Sequence, residues 1–422
     1  MGKLERVSAA INPDRRFYIL VFIAAVAIII LRRPDAVLNA QFWAEDGASL
    51  FADAYNKGII IPLLSPKVGY LFVFPRIIAA FSQLFPLSYA PLLFNLSAII
   101  IKTIPVALIV SSRFSALMPD LRIRVFLSFL YLNLPNSWEI HANLINTLPH
   151  LALLAFMVLS AGPSSRPLWR FFDTTVILLS GLSGPFCIML TPIAALFWFF
   201  RRDKMSFTFF LLTGTCALIQ GAFYIMDATR PHMPLGATPE LFFKILSSQV
   251  FLGALIGQKG LHLISHLSTF YSVLVMIVGI MGLAALINAL LKAPLELRLF
   301  ILFAFLLFIA ALYSPVVNRT TPQWPPLSIP GVGGRYWFIP MLAFTSVLVW
   351  SLYRSSSPIS RMLVELAFVV IIAGIIMDWR YPAFTDFNFR EHAHRFESAP
   401  IGTQVTIPIN PPGWTMTLTK HL

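Results

Sequence analysis

Arg15-Arg16-Phe17-Tyr18-Ile19-Leu20-Val21-Phe22-Ile23-Ala24-Ala25-Val26-Ala27-Ile28-Ile29-Ile30-Leu31-Arg32-Arg33 is the stretch on which the reading of the whole chain turns. The apolar run from Phe17 to Leu31 is about long enough to enter and cross a hydrocarbon core roughly 30 Å thick. In lipid the backbone must satisfy its own hydrogen bonds, so such a run is a helix. A secretory signal peptide also begins with basic residues before an apolar run, and here Lys3, Arg6, Arg15 and Arg16 precede it. Arg32, Arg33 and Pro34 follow, however, without an adjoining small-residue cleavage site, which predicts an uncleaved first helix.

Similar runs recur outward from this one as far as Met377. The chain has 422 residues, 58% of them hydrophobic and 12% charged, where a soluble domain carries about a quarter charged residues. A soluble fold is thereby excluded, and an all-α polytopic membrane protein with the lipid bilayer as its partner is expected. The net charge of +13 is spread in small groups between apolar runs, which fits topology signals and not a nucleic-acid surface. Cys187 and Cys216 sit inside apolar stretches, where thiols pack as small hydrophobes, so disulfides and thiolate metal sites are not expected.

With a cytoplasmic N-terminus, the basic groups at Arg113, Arg122 and Arg124, at Arg166 and Arg170, at Arg201, Arg202 and Lys204, at Lys292 and Arg298, and at Arg354 and Arg361 all belong on the cytoplasmic side. The matching spans fall near 17–31, 88–112, 123–135, 147–161, 173–182, 186–200, 206–226, 268–291, 298–313, 335–353 and 361–377, about eleven in all, with the C-terminus outside. The stretch from Pro62 to Pro86, broken by Lys67, Pro75 and Arg76, is assigned to the interface or a half-crossing. Ser180 to Pro185 reads as a helix-breaking turn at the outer face. Two units are expected: a membrane domain over 1–377, with a first outer loop of about 32–87, and an extracytoplasmic appendage over 378–422. Thr403-Gln404-Val405-Thr406-Ile407-Pro408-Ile409 in the appendage alternates like a strand. No inverted repeat is visible.

Function must then rest on the polar residues outside the lipid. Glu45 and Asp46, within Trp43-Ala44-Glu45-Asp46-Gly47, are two adjacent carboxylates just after the first span, where they are used, paired or serve as a helix cap. Glu139, Asn143, Asn146 and His150 recur at spacings of three and four, which predicts one polar helical face leading to a water-filled cavity. Glu139 and His141 alone are too few to define a metal site. Asp227, Arg230, His232, Lys259 and His262 form a third group, Asn318-Arg319 a fourth. Arg335 and Tyr336, after Gly331-Val332-Gly333-Gly334, stand where glycines let a ligand approach the backbone and an arginine suits a phosphate. Carboxylates on one outer loop and cations on others form an arrangement for deprotonating an acceptor while holding an anionic leaving group. No GxxxxGK[ST], GxGxxG or HExxH motif is present.

This pattern resembles the polytopic, lipid-carrier-dependent glycosyltransferases of the GT-C class, and within it the serotype-modifying glucosyltransferases of bacterial surface polysaccharide. The resemblance lies in Trp43-Ala44-Glu45-Asp46-Gly47, in Gly69-Tyr70 to Pro75-Arg76 and in Gly334-Arg335-Tyr336. It implies a polyprenyl-phosphate sugar donor, a glycan or lipid acceptor and a bacterial inner membrane. Asp46, or else Glu45, would be the general base, and Arg335 with Arg319 or Arg76 would steady the departing phosphate. Members of the class differ over a divalent metal, which stays open, and no other cofactor is implied. The rival expectation, a transporter or flippase of a lipid-linked or anionic solute, requires charged groups near the bilayer midplane. Acidic residues are almost absent from the spans, Glu365 being an exception.

Overall fold

The computed structural model describes residues 15–227, 233–317, 321–354 and 357–421; Lys3, Arg6, Arg230, His232, Asn318 and Arg319 lie outside the described residues. The chain is nearly all helix. Its long elements are α1 (Arg15–Arg32), α2 (Ala90–Val110), α3 (Leu121–Asn133), α4 (Leu148–Ala161), α5 (Pro167–Gly181), α6 (Phe186–Arg201), α7 (Lys204–Met226), α8 (Pro239–Ser265), α9 (Ser268–Lys292), α10 (Leu295–Tyr313), α11 (Gly334–Arg354) and α12 (Pro358–Met377). Among the described residues seven helices are long and apolar enough to cross a membrane: α2 with its leading turn, and α7 to α12. Their starts follow ordinary capping chemistry. Asp203 accepts the Ser206 N–H at 2.8 Å ahead of α7, and Thr238 accepts the Leu241 N–H at 3.1 Å ahead of α8.

Contacts between loops sort the helix ends into two groups. At one end Arg32 reaches the carbonyls of Leu132 and Asp378, and Tyr224 bonds Ser314, so α1, α3, α7, α10 and α12 have their termini together. The turn at Ser180–Pro185 joins them, because Val73 N–H bonds Leu182 O and Gly184 N–H bonds Leu71 O. At the opposite end Arg113 bonds Gly162 O, and Arg201 pairs with Glu296 at 3.9 Å. The basic groups expected on one side therefore share one end of the bundle, called below the Arg113 end, and the first loop sits at the other, the Arg32 end.

One element departs from the sequence reading, which takes residues 227–267 as a loop. α8 has the length and composition of a span, yet both of its ends are fastened at the Arg32 end. Before it, Trp324 N–H bonds Leu235 O at 2.9 Å, and the Trp324 indole bonds Leu312 O near the end of α10. After the break at Gly257, whose φ is 72°, Gln258 and Lys259 N–H groups bond Asp378 at 2.7 and 3.0 Å. Between these ties its middle presses onto α9, where a Cβ on Gly282 would meet Phe251 at 2.5 Å. Polar Ser247, Ser248 and Gln249 in that middle are buried against neighbouring helices, so the polarity that suggests a loop is spent on helix packing instead.

The tail folds as a helix, α13 (Phe389–Glu397), and an antiparallel hairpin of β1 (Gln404–Ile409) and β2 (Trp414–Thr419), with Ile407 opposite Met416. It shares a core with the first loop. Phe42, Leu50 and Phe51 pack with Phe389, Ile407, Met416 and Leu418, and Asn410 N–H bonds Phe42 O at 3.1 Å. The appendage and the loop form one cap over the Arg32 end.

Candidate functional site

The first loop is built so that consecutive carboxylates face opposite ways. Ala44 takes a positive φ of 44° and its N–H bonds Asn410 O. Gly47 lies so close to the hairpin that a Cβ there would meet Ile409 at 2.9 Å. The tight path turns Asp46 inward. It is fully buried and accepts the N–H groups of Leu144 and Ile145 at 2.9 and 2.7 Å, at the start of the helical turn that leads into α4. Burial pushes its carboxyl up to about 8 against those two N–H donors, which favour the ionised form. Asp46 thus holds the loop to the segment before α4, as a cap supplied from a distant part of the chain. Glu45 is partly exposed, and no hydrogen bond or ion pair to its carboxylate occurs among the described residues.

Charges gather around it. Arg76, buried on the short helix Val73–Ser82, bonds Ser49 O at 3.0 Å and Asp53 at 2.9 Å. Burial works against the Asp53 carboxylate, yet bonds from Lys57 and Arg76 hold it below the usual range. The Lys67 ammonium, lowered by partial burial, lies within the electrostatic reach of Asp53, Arg76 and Glu45. Arg76 is therefore a brace for the loop more than a free anion site.

Residues 134–144 do not form the polar helical face that their spacing predicts. Asn136 and Ala142 have positive φ, and the segment runs in turns until the helical turn Ile145–Thr147. Asn143 and Asn146 both donate their side-chain amides to Glu139 O, at 2.8 and 3.1 Å. Their job is local closure, the usual use of asparagine in turns. His150 points elsewhere, to the Tyr131 hydroxyl at 2.9 Å. Glu139 reaches Arg335 instead: its carboxylate forms an ion pair with Arg335 and also accepts the Arg335 N–H at 3.1 Å. Arg335 bonds Val316 O at 3.0 Å and the Tyr336 hydroxyl at 3.2 Å, and its guanidinium lies 4.7 Å from the Tyr336 ring centre. Its side chain stays 37% exposed, enough for a ligand oxygen to reach it. Trp43 meets Trp138 edge to face at 6.1 Å. Together with the Asp46 bonds, this docks the Glu45 loop onto the segment that carries Glu139, the partner of Arg335 at the start of α11. Arg319 lies outside the described residues.

No family model matches the chain, and no curated protein matches it either.

Sequence reasoning missed two buried ionisable groups. Lys102 lies inside α2 with its Nζ 3.0 Å from His141 Nδ1, while His141 Nε2 lies 2.8 Å from Ile29 O. These partners assign the tautomer with the proton on Nε2. Burial first, then Lys102, Arg32 and Arg33, hold the imidazole well below its usual range, so it is neutral. A lone lysine inside the apolar run Leu96–Val110 was the available signal. Asp378 is the second: it gathers the N–H groups of Asn136, Gln258 and Lys259. Among the described residues no three of His, Cys, Asp and Glu gather as metal ligands. The site can supply a carboxylate at its edge, an arginine fixed by a glutamate and a tyrosine, and aromatic walls.

Proposed function

We propose that this chain is a membrane glycosyltransferase of the GT-C kind, moving a sugar from a polyprenyl-phosphate carrier to a hydroxyl of a glycan or lipid acceptor. In this reading α1 to α7 and α9 to α12 cross a bacterial inner membrane, and α8 stays within the outer half. The basic Arg113 end is cytoplasmic by the excess of lysine and arginine in its loops. The Arg32 end, with the first loop, Arg335 and the tail, is extracytoplasmic.

The observation that carries the proposal is the partly exposed carboxylate of Glu45, without a hydrogen bond or ion pair among the described residues, on a loop that Asp46 fixes to the segment bearing Glu139. Of the two carboxylates expected as base, Glu45 is the one free to take a proton from an acceptor, and Asp46 positions it. Arg335, oriented by Glu139 and Tyr336, meets the phosphate as negative charge grows on the leaving group. Direct attack by the acceptor oxygen inverts the anomeric centre, with the proton passing to Glu45. The residues leave a divalent metal open.

The test is transfer of labelled sugar from polyprenyl-phosphate donors to a surface-glycan acceptor by the full-length protein in vesicles. Glu45→Gln is expected to lower turnover about 10²- to 10⁴-fold with the thermal midpoint unchanged. A Glu45→Gln protein as fast as wild type removes Glu45 from the mechanism. A second reading, a transporter of a lipid-linked or anionic solute, draws on buried Lys102 inside α2. It is favoured if no sugar is transferred while the donor changes leaflet, and if Lys102→Met stops that movement.

A further inference from the structure

A cavity of about 680 Å³ lies away from the proposed site, bordered by α2, α3, α4, α10 and α11 and opening toward the Arg113 end. Its walls are almost wholly apolar. Thr345 and Ser346 contribute hydroxyls, but both bond Leu342 O within their own helix, at 3.0 and 2.8 Å, and offer little to water. Tyr131 closes the inner end, with its hydroxyl turned away to Lys102 O at 2.9 Å and to His150. The mouth is different in character: exposed Lys292 and Arg354 border it, and no hydrogen bond or ion pair of either side chain occurs among the described residues. Glu296, also at the mouth, is engaged by Arg201 at 3.9 Å.

A space of this size with greasy walls and a cationic lip matches a chain-bearing molecule with an anionic head. We propose that it holds a phospholipid of the adjacent leaflet, its phosphate on Lys292 and Arg354 and one acyl chain running inward to Tyr131. The position decides against the sugar donor as occupant. Arg354 and Arg335 stand at opposite ends of α11, and nineteen residues of helical rise separate them by about 28 Å. A donor reacting beside Arg335 cannot place its phosphate at Lys292. The cavity and its cationic lip lie at the other end of the bundle, so only the exclusion of the sugar donor rests on the glycosyltransferase reading.

Native mass spectrometry of the detergent-solubilised full-length protein tests it, with palmitoyl-oleoyl phosphatidylglycerol as the probe and the matching diacylglycerol as a control lacking phosphate. The expected result is one retained phosphatidylglycerol, little retained diacylglycerol, about tenfold weaker retention in Lys292→Gln/Arg354→Gln, and loss in Ser346→Trp, which obstructs the path of the acyl chain. Equal retention by wild type and both variants overturns the site. Displacement of the phosphatidylglycerol by a polyprenyl phosphate, at lower concentration, overturns the assignment to a leaflet phospholipid. Should Ser346→Trp fail to fold, the double charge variant decides alone, since its side chains are exposed and hold no bond among the described residues.

Discussion

The two ends of the bundle use charge in different ways. At the Arg32 end ionisable groups are buried and bonded to backbone: Arg32 to the carbonyls of Leu132 and Asp378, Asp378 to three N–H groups, Asp46 to two. At the Arg113 end most arginines stand at helix ends and face outward, although Arg113, Arg124 and Arg201 also bond backbone carbonyls, and among the described residues Arg113 makes a tight, buried pair with Asp173 at 2.5 Å. Charge that bonds backbone fixes loop shape, which a reaction site needs. Charge that faces outward fixes orientation in the membrane and leaves loops less constrained.

The contrast is sharpened most by Asp378→Ala. Three N–H groups from two segments would lose one shared acceptor, at about 1.5–3 kcal/mol for each bond to a charged group. The thermal midpoint of the solubilised protein should fall more than in any other single variant named here, and transfer should fall with it because α8 and residues 134–144 come loose together. A midpoint close to wild type would break the comparison at its strongest point. Asp173→Ala comes next. It leaves Arg113 buried beside Gly162 O without its carboxylate, and breaking a buried pair costs about 3–5 kcal/mol. Its effect should fall on stability alone, with turnover per folded molecule unchanged, since it stands at the end remote from Glu45.

Asp46 gives a pH signature. Its folded carboxyl is raised to about 8 from the usual 3.8 by burial, so the folded state binds the extra proton between those values. Stability contributed by the protonated form is therefore present at low pH and is lost as pH rises toward 8, by at most about 1.4 kcal/mol per pH unit. Asp53, held low, titrates below this window and does not mask it. Thermal midpoints measured from about pH 5 to about pH 9 should decline in the wild type, and Asp46→Asn should flatten the decline. An unchanged slope in the variant would show that Asp46 is ionised throughout, as its two N–H donors favour.

How much of this was legible in the sequence follows from where each partner lies. Helices such as α9 and α12 were plain, because about twenty apolar residues in a row have one solution in lipid. The shared end of the basic loops followed from their positions alone. α8 was hidden, since Ser247, Ser248, Gln249 and Lys259 resemble a loop until helices are packed around them. Asn143 and Asn146 misled through spacing: the three-and-four pattern of a helix face was a set of turn-closing amides. The different placement of Glu45 and Asp46, one partly exposed and one buried, was out of reach, because it depends on N–H groups about a hundred residues away that no local pattern announces.

The smallest effect is expected from Arg361→Ala. Arg361 and Glu365 pair at 2.9 Å one turn apart at the start of α12, with side chains 64% and 54% exposed. Such a pair contributes about 0.3–0.5 kcal/mol and is screened by salt. Thermal midpoints of wild type and variant should agree in low and high salt alike. Orientation should also hold, because Arg354 and the other basic loops still mark the same side. A loss approaching that of Asp173→Ala would mean that outward charges at this end carry structure too. The two ends would then differ in exposure and no longer in what their charges do.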